Sequence, residues 1–131
     1  MPYSLNTMDN YVDAIIKIIQ PKIVLDLGAG AGKIGKMIRD EIPNCNITAV
    51  EIFEKYIYKY NLKYLYNDII NDNVMSIMSK IKDRWDLVTM GDIIEHLRKS
   101  EGIDLLNFLI YRTGYICIIT PEKYQQDNID N

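Results

Sequence analysis

Cysteine is scarce in this sequence. Cys45 and Cys117 are the whole supply, and they form neither a CxxC pair nor a spaced framework. Both stand among apolar residues, in "PNCNI" and "YICII", so the reading is two reduced, packed thiols in a cytoplasmic chain rather than a disulfide scaffold. Long apolar runs are missing as well. No stretch approaches the ~20 residues of a membrane span, and no charged segment followed by an apolar one opens the chain. The expectation is a soluble, intracellular protein with no membrane partner. Nor is there a large excess of one charge. A net charge of −3 leaves no bulk attraction to nucleic acid. With a single histidine and no ligand cluster at clear spacing, no metal site is expected. There is no repeat, no low-complexity tract and no linker.

What is present is an ordinary globular composition, 131 residues with 48% hydrophobic and 25% charged. That suffices for one domain with one core. We divide it into an N-terminal helical segment (1–21), a βα core (22–120) and a polar tail (121–131). Apolar residues in "MDNYVDAIIKIIQ" (8–20) recur at helical spacing up to Pro21. "KIVLDL" (22–27) and "NITAVEI" (46–52) are near-continuous apolar runs, the signature of strands buried on both faces. Between them Ile34, Met37, Ile38 and Ile42 mark a helix ending before Pro43. In "EKYIYKYNLKYLYND" (54–68) lysine and tyrosine each recur every fourth residue. This predicts a helix to about Leu62 and a short strand from Tyr64 to Tyr66. A weak helix (73–82), a strand "RWDLVTMG" (84–91), a long helix (95–112) and a strand "GYICIIT" (114–120) follow. Alternating strand and helix predict an α/β fold, a parallel sheet covered by helices through right-handed crossovers.

The chemistry concentrates in "DLGAGAGKIGK" (26–36), where a strand runs through a glycine-rich turn into a helix. Such corners present backbone N–H groups and a helix N-terminus to a polar ligand. A P-loop requires GxxxxGK followed by Ser or Thr, but Leu27 and Ile34 stand at two of those positions. A dinucleotide GxGxxG is matched only from Gly30, a frame that leaves Asp26 and Gly28 without a role. No YxxxK pair accompanies it, so an NAD-binding oxidoreductase trails the other readings.

"DLGAGAG" fits the D/E-x-G-x-G-x-G pattern, and the chain resembles class I S-adenosylmethionine-dependent methyltransferases over most of its length. The resemblance implies a Rossmann-like, doubly wound sheet of about five parallel strands in the order 3-2-1-4-5. It implies S-adenosylmethionine as cofactor, with Asp26 near its amino group and Gly28, Ala29, Gly30 and Gly32 letting the main chain approach. Glu51, 23 residues after Gly28, matches the acid that accepts from both ribose hydroxyls. It would also serve NAD, or cap the next helix. Asp68 matches the acid that accepts from the adenine amine, with Ile52 and Ile69 against the purine; its alternative is an Asx turn. Gly91 closes this set. "MGDIIEHL" carries a D-x-x-E-H-L string in Asp92, Glu95, His96 and Leu97. The resemblance puts Asp92 and His96 beside the transferred methyl, His96 being either a base for the acceptor or an opener of the following helix. The acceptor implied is a small molecule or sugar-like compound. Gly91-Asp92-Ile93-Ile94 stands where DNA amino-methylating relatives carry Pro-Pro-aromatic, and the lysine stripe reads as a solvated face, so nucleic acid is not expected. The subgroup resembled continues with a β6/β7 hairpin that this sequence does not reach. The expectations are an exposed fifth-strand edge that pairs with a second copy, and, as alternative function, a non-catalytic cofactor-binding subunit.

Overall fold

The computed structural model describes residues 8–81 and 83–120; the tail expected over 121–131 lies outside them. In chain order the elements are α1 (Asp9–Ile19), β1 (Ile23–Leu27), α2 (Lys33–Glu41), β2 (Asn46–Val50), α3 (Glu54–Lys59), β3 (Asp68–Ile70), α4 (Ile77–Lys80), β4 (Trp85–Gly91), α5 (Lys99–Ile110) and β5 (Thr113–Ile119). The five strands form one sheet in the order β3-β2-β1-β4-β5, all pairs parallel. This is the expected Rossmann-like architecture.

The period of two along each strand sorts side chains onto two cores. Val24 of β1, Ile47 and Ala49 of β2 and Leu87 of β4 join Val12, Ile16, Ile34, Ile38 and Ile57 beneath α1, α2 and α3. Leu25, Leu27, Val50, Val88 and Met90 pack on the other face with Ile77, Leu105 and Leu109 of α4 and α5. Asp26 and Thr89 follow the same alternation. They share the face of Val24 and Leu87, and the register sets them side by side. The sequence thus buries two polar groups in an otherwise apolar layer, where each requires a hydrogen-bonding partner.

Two expectations about boundaries are corrected. α3 stops at Lys59 because Asn61 takes a left-handed φ of 51°, a conformation asparagine tolerates and a helix does not. The chain then makes a short 3-10 turn (Leu62–Tyr64), and β3 begins only at Asp68, not at Tyr64. The lysine and tyrosine periodicity is a surface pattern. Lys59 Nζ lies 5.3 Å from the Tyr60 ring centroid and Lys63 Nζ 5.6 Å from that of Tyr58. The predicted long helix 95–112 divides into a 3-10 turn (Ile94–His96) and α5. The Arg98 N–H before α5 is taken by Glu101 Oε1 at 2.9 Å, which marks the true start.

Among the described residues no helix is long and apolar enough to cross a membrane. Both cysteines are free, and Cys45 Sγ donates to the Pro21 carbonyl at 3.3 Å. Burial pushes the Cys45 thiol up to about 11, which keeps it protonated and unreactive.

Candidate functional site

In a parallel sheet the loops that receive ligands leave the carboxyl ends of the strands. Here those ends enclose a cleft of about 290 Å³. Asp26, Gly28, Ala29 and Gly30 enter it from the turn after β1, Glu51, Ile52, Phe53 and Tyr56 from β2 and α3. Asn73 and Val74 follow β3, and Gly91, Asp92, Ile93, His96 and Leu97 follow β4.

The turn has its shape because three glycines adopt positive φ: Gly28 at 74°, Gly30 at 56° and Gly32 at 85°. At Gly28 space demands glycine too, since an added Cβ would fall 2.2 Å from Ile93 Cδ1. The turn is stitched to β2. The N–H groups of Gly28 and Ala29 both donate to the Val50 carbonyl, at 2.8 and 3.2 Å. Gly30 N–H donates to Glu51 Oε1 at 2.6 Å, while Phe53 N–H, just before α3, donates to Glu51 Oε2 at 2.9 Å. Glu51 therefore braces the glycine turn and the entry of α3 together, and each oxygen keeps a lone pair for a ligand. Its side chain is buried, as is that of Asp26.

Asp26 accepts from Tyr66 Oη at 2.5 Å and from Thr89 Oγ1 at 2.8 Å. Burial raises its carboxyl from 3.8 to about 6, against the pull of those two donors, and nearby Glu51 adds to the rise. Burial and Asp26 together raise the Tyr66 phenol well above its ordinary value. Tyr66 is thus a fixed donor. Across the cleft Asp92 is held at a left-handed φ of 56°, with its N–H donating to the Ile119 carbonyl of β5 at 2.8 Å. Asp tolerates that region better than most residues, and such strain collects where a side chain must be aimed.

Most of the expected residues meet in this cleft: Asp26, Gly28, Ala29, Gly30, Glu51, Ile52, Gly91, Asp92 and His96. Gly32 does not line it but caps α2. Asp68 and Ile69 stand outside it. Asp68 opens β3 and so lies at the amino end of the strand, opposite the cleft. After β3 the lining residues are Asn73 and Val74, the neighbouring Asp72 being ion-paired with Lys80. His96 sits in the turn ahead of α5, not on the helix. The reading missed Tyr66 and Thr89. Strand alternation from Leu87 signals Thr89, but nothing local signals Tyr66.

No family model matches the chain. Among curated proteins it is 31% identical over 106 residues to the ribosomal RNA small subunit methyltransferase C of Haemophilus influenzae strain PittEE, covering 78% of this chain and 31% of that protein. The chain thus spans about a third of the length of the curated relatives it matches. Among solved structures it superposes on the plantazolicin methyltransferase BpumL in complex with SAH (S-adenosylhomocysteine) with a TM-score of 0.66 at 18% identity. That match covers 78% of this chain and 41% of BpumL. An O-methyltransferase family protein from Burkholderia thailandensis gives a TM-score of 0.57 at 12% identity, over 82% of this chain and 36% of that one.

Proposed function

We propose that the chain is a class I S-adenosylmethionine-dependent methyltransferase, which binds S-adenosylmethionine in this cleft and transfers the methyl group to a small-molecule or sugar-like acceptor. The observation that carries the reading is the pair of buried carboxylates, Asp26 and Glu51, flanking the glycine turn. Glu51 occupies the Gly30 amide that a pyrophosphate would need. Two anions beside that amide repel a phosphate, which weighs against NAD, and suit a ligand with an ammonium group, a sulfonium and a ribose.

In this reading Asp26 takes the ammonium and Glu51 the ribose hydroxyls. Ile52, Phe53, Asn73 and Val74 surround the purine. Bound S-adenosylmethionine supplies an electrophilic methyl group whose leaving group is a neutral thioether. The chain's own task is then alignment and exclusion of water. Asp92, aimed by its strained backbone, orients the acceptor, and His96 takes the acceptor's proton where one must leave. The two free thiols accord with a reducing, cytoplasmic compartment.

Titration calorimetry with S-adenosylmethionine and with NAD is expected to give heat for the first alone. S-adenosylhomocysteine should then accumulate with the right acceptor. Silence with both ligands overturns the reading, and binding without turnover would assign a cofactor-holding subunit instead. A ribosomal RNA acceptor is the second reading. It is favoured by the Haemophilus relative and by the exposed lysines 55, 59 and 63 beside tyrosine rings. Tight, steeply salt-dependent binding of single-stranded RNA would select it.

Among the described residues β5 pairs only with β4, and Tyr115 and Ile118 on it are exposed. We extend the proposal to a homodimer through this edge. Gel filtration at micromolar concentration should give twice the chain's mass; a stable monomer would refute it.

A further inference from the structure

The turn between the 3-10 segment and β3 sends Tyr66 under α2 to reach Asp26, and the sequence leaves a gap for it. Gly35 is the third residue of α2, inside a helix, where only proline is a poorer former than glycine. A Cβ at Gly35 would stand 2.3 Å from Tyr66 Cζ and 2.4 Å from its hydroxyl oxygen. The helix gives up propensity at the one place where the phenol must pass. At the end of that passage Tyr66 Oη meets Asp26 Oδ2, and Thr89 Oγ1 meets Oδ1. Both donors are buried, so the carboxylate is clamped on each oxygen and shielded from water.

We propose that Tyr66 is a positioning residue for the cofactor site: passing through the gap at Gly35, its hydroxyl fixes the Asp26 carboxylate and keeps it charged, and so sets how strongly this acid holds a ligand's ammonium group. The proposal rests on the functional reading above and deepens it. The charged and titratable groups around Asp26 are few. Glu51, just past β2, opposes its ionisation, Tyr66 is held protonated, and Lys33, Asp92 and His96 line the same cleft. With Asp26 titrating at about 6, loss of a donor that favours the anion moves the titration upward, into the neutral range.

The test uses the full chain. Affinity for S-adenosylmethionine is measured by calorimetry from pH 5.5 to 8.5 in wild type, Tyr66→Phe and Gly35→Ala, with the Asp26 carboxyl followed by carbon NMR in the ligand-free proteins. Tyr66→Phe keeps the packed ring and removes one donor. The NMR midpoint and the midpoint of the affinity profile should both rise by about one pH unit, a roughly tenfold change at the acidic end that closes by pH 8.5. Gly35→Ala displaces the ring and should give the same shift, with no further shift when added to Tyr66→Phe. A uniform loss of affinity with unmoved midpoints would make Tyr66 merely structural and overturn the proposal. If wild type takes no S-adenosylmethionine at any pH, the functional reading falls. The carboxyl titration of the ligand-free variants then decides the clamp on its own, an unmoved midpoint refuting it.

Discussion

Replacing Gly30 with valine is expected to weaken S-adenosylmethionine binding by about 100-fold or more, ~2.7 kcal/mol, in a chain that still folds. Three effects converge on this position. A φ of 56° is accessible to glycine, whereas a β-branched residue there is strained by roughly 1–2 kcal/mol. The side chain would enter the cleft that Gly30 lines. Relief of the strain by backbone rotation would swing the Gly30 N–H off Glu51, whose Oε1 it holds at 2.6 Å. The acid assigned to the ribose would then lose its brace. Circular dichroism should retain the wild-type shape. The melting temperature should fall by several degrees, since about 1 kcal/mol moves a domain of this size by roughly 4 °C. Alanine at the same place should lose less, having strain without the bulk. Wild-type affinity in Gly30→Val would remove the turn from the binding site.

The second large effect runs in opposite directions for stability and for binding. Asp26→Asn is expected to make the ligand-free chain more stable at pH 7.5 by about 1–3 kcal/mol while reducing S-adenosylmethionine affinity at least tenfold. The sign follows from the carboxyl, which burial raises from 3.8 to about 6. The folded form binds a proton more tightly than the unfolded one. The stability contributed by this group is therefore fully present below pH 3.8 and is lost as pH rises through about 6. Above that, folding must keep a carboxylate charged in a dry layer. Asparagine removes the cost and still satisfies Tyr66 and Thr89, its oxygen accepting and its amide donating. Urea denaturation at pH 4 and pH 7.5 checks this. The gain should be present at the higher pH and nearly absent at the lower. An equal difference at both values would mean that Asp26 is not ionised at a cost. If both outcomes hold, the cleft is a place where the fold gives up stability to keep a charge in readiness for a ligand.

How much of this was legible depends on distance along the chain. β1, β2 and β4 stood out because strands buried on both faces write long apolar runs, and the glycine turn because positive φ selects glycine. β3 did not. It has three residues, too few for a pattern, and the spacing of Tyr64 and Tyr66 ahead of it imitates a strand, although Tyr64 is exposed on the 3-10 turn and Tyr66 is buried. That displacement moved Asp68 from the end of the strand to its start, and so to the wrong edge of the sheet. Asp26, Glu51, Asp92 and His96 converge because parallel strands bring their carboxyl ends to one side, a consequence of topology readable from element order. The clamp on Asp26 was not readable, because Tyr66 lies 40 residues away from it and its only trace is a glycine in the first turn of α2.

The carbonyl of Val50, shared by the amides of Gly28 and Ala29, has a kinetic consequence. With Glu51 bonded back to Gly30, the two walls that would hold opposite halves of a nucleoside are fastened to each other before anything arrives. Capture then need not draw these two walls together, so for them entry is set by diffusion and orientation. Discrimination among visitors would be exercised in how long each one stays.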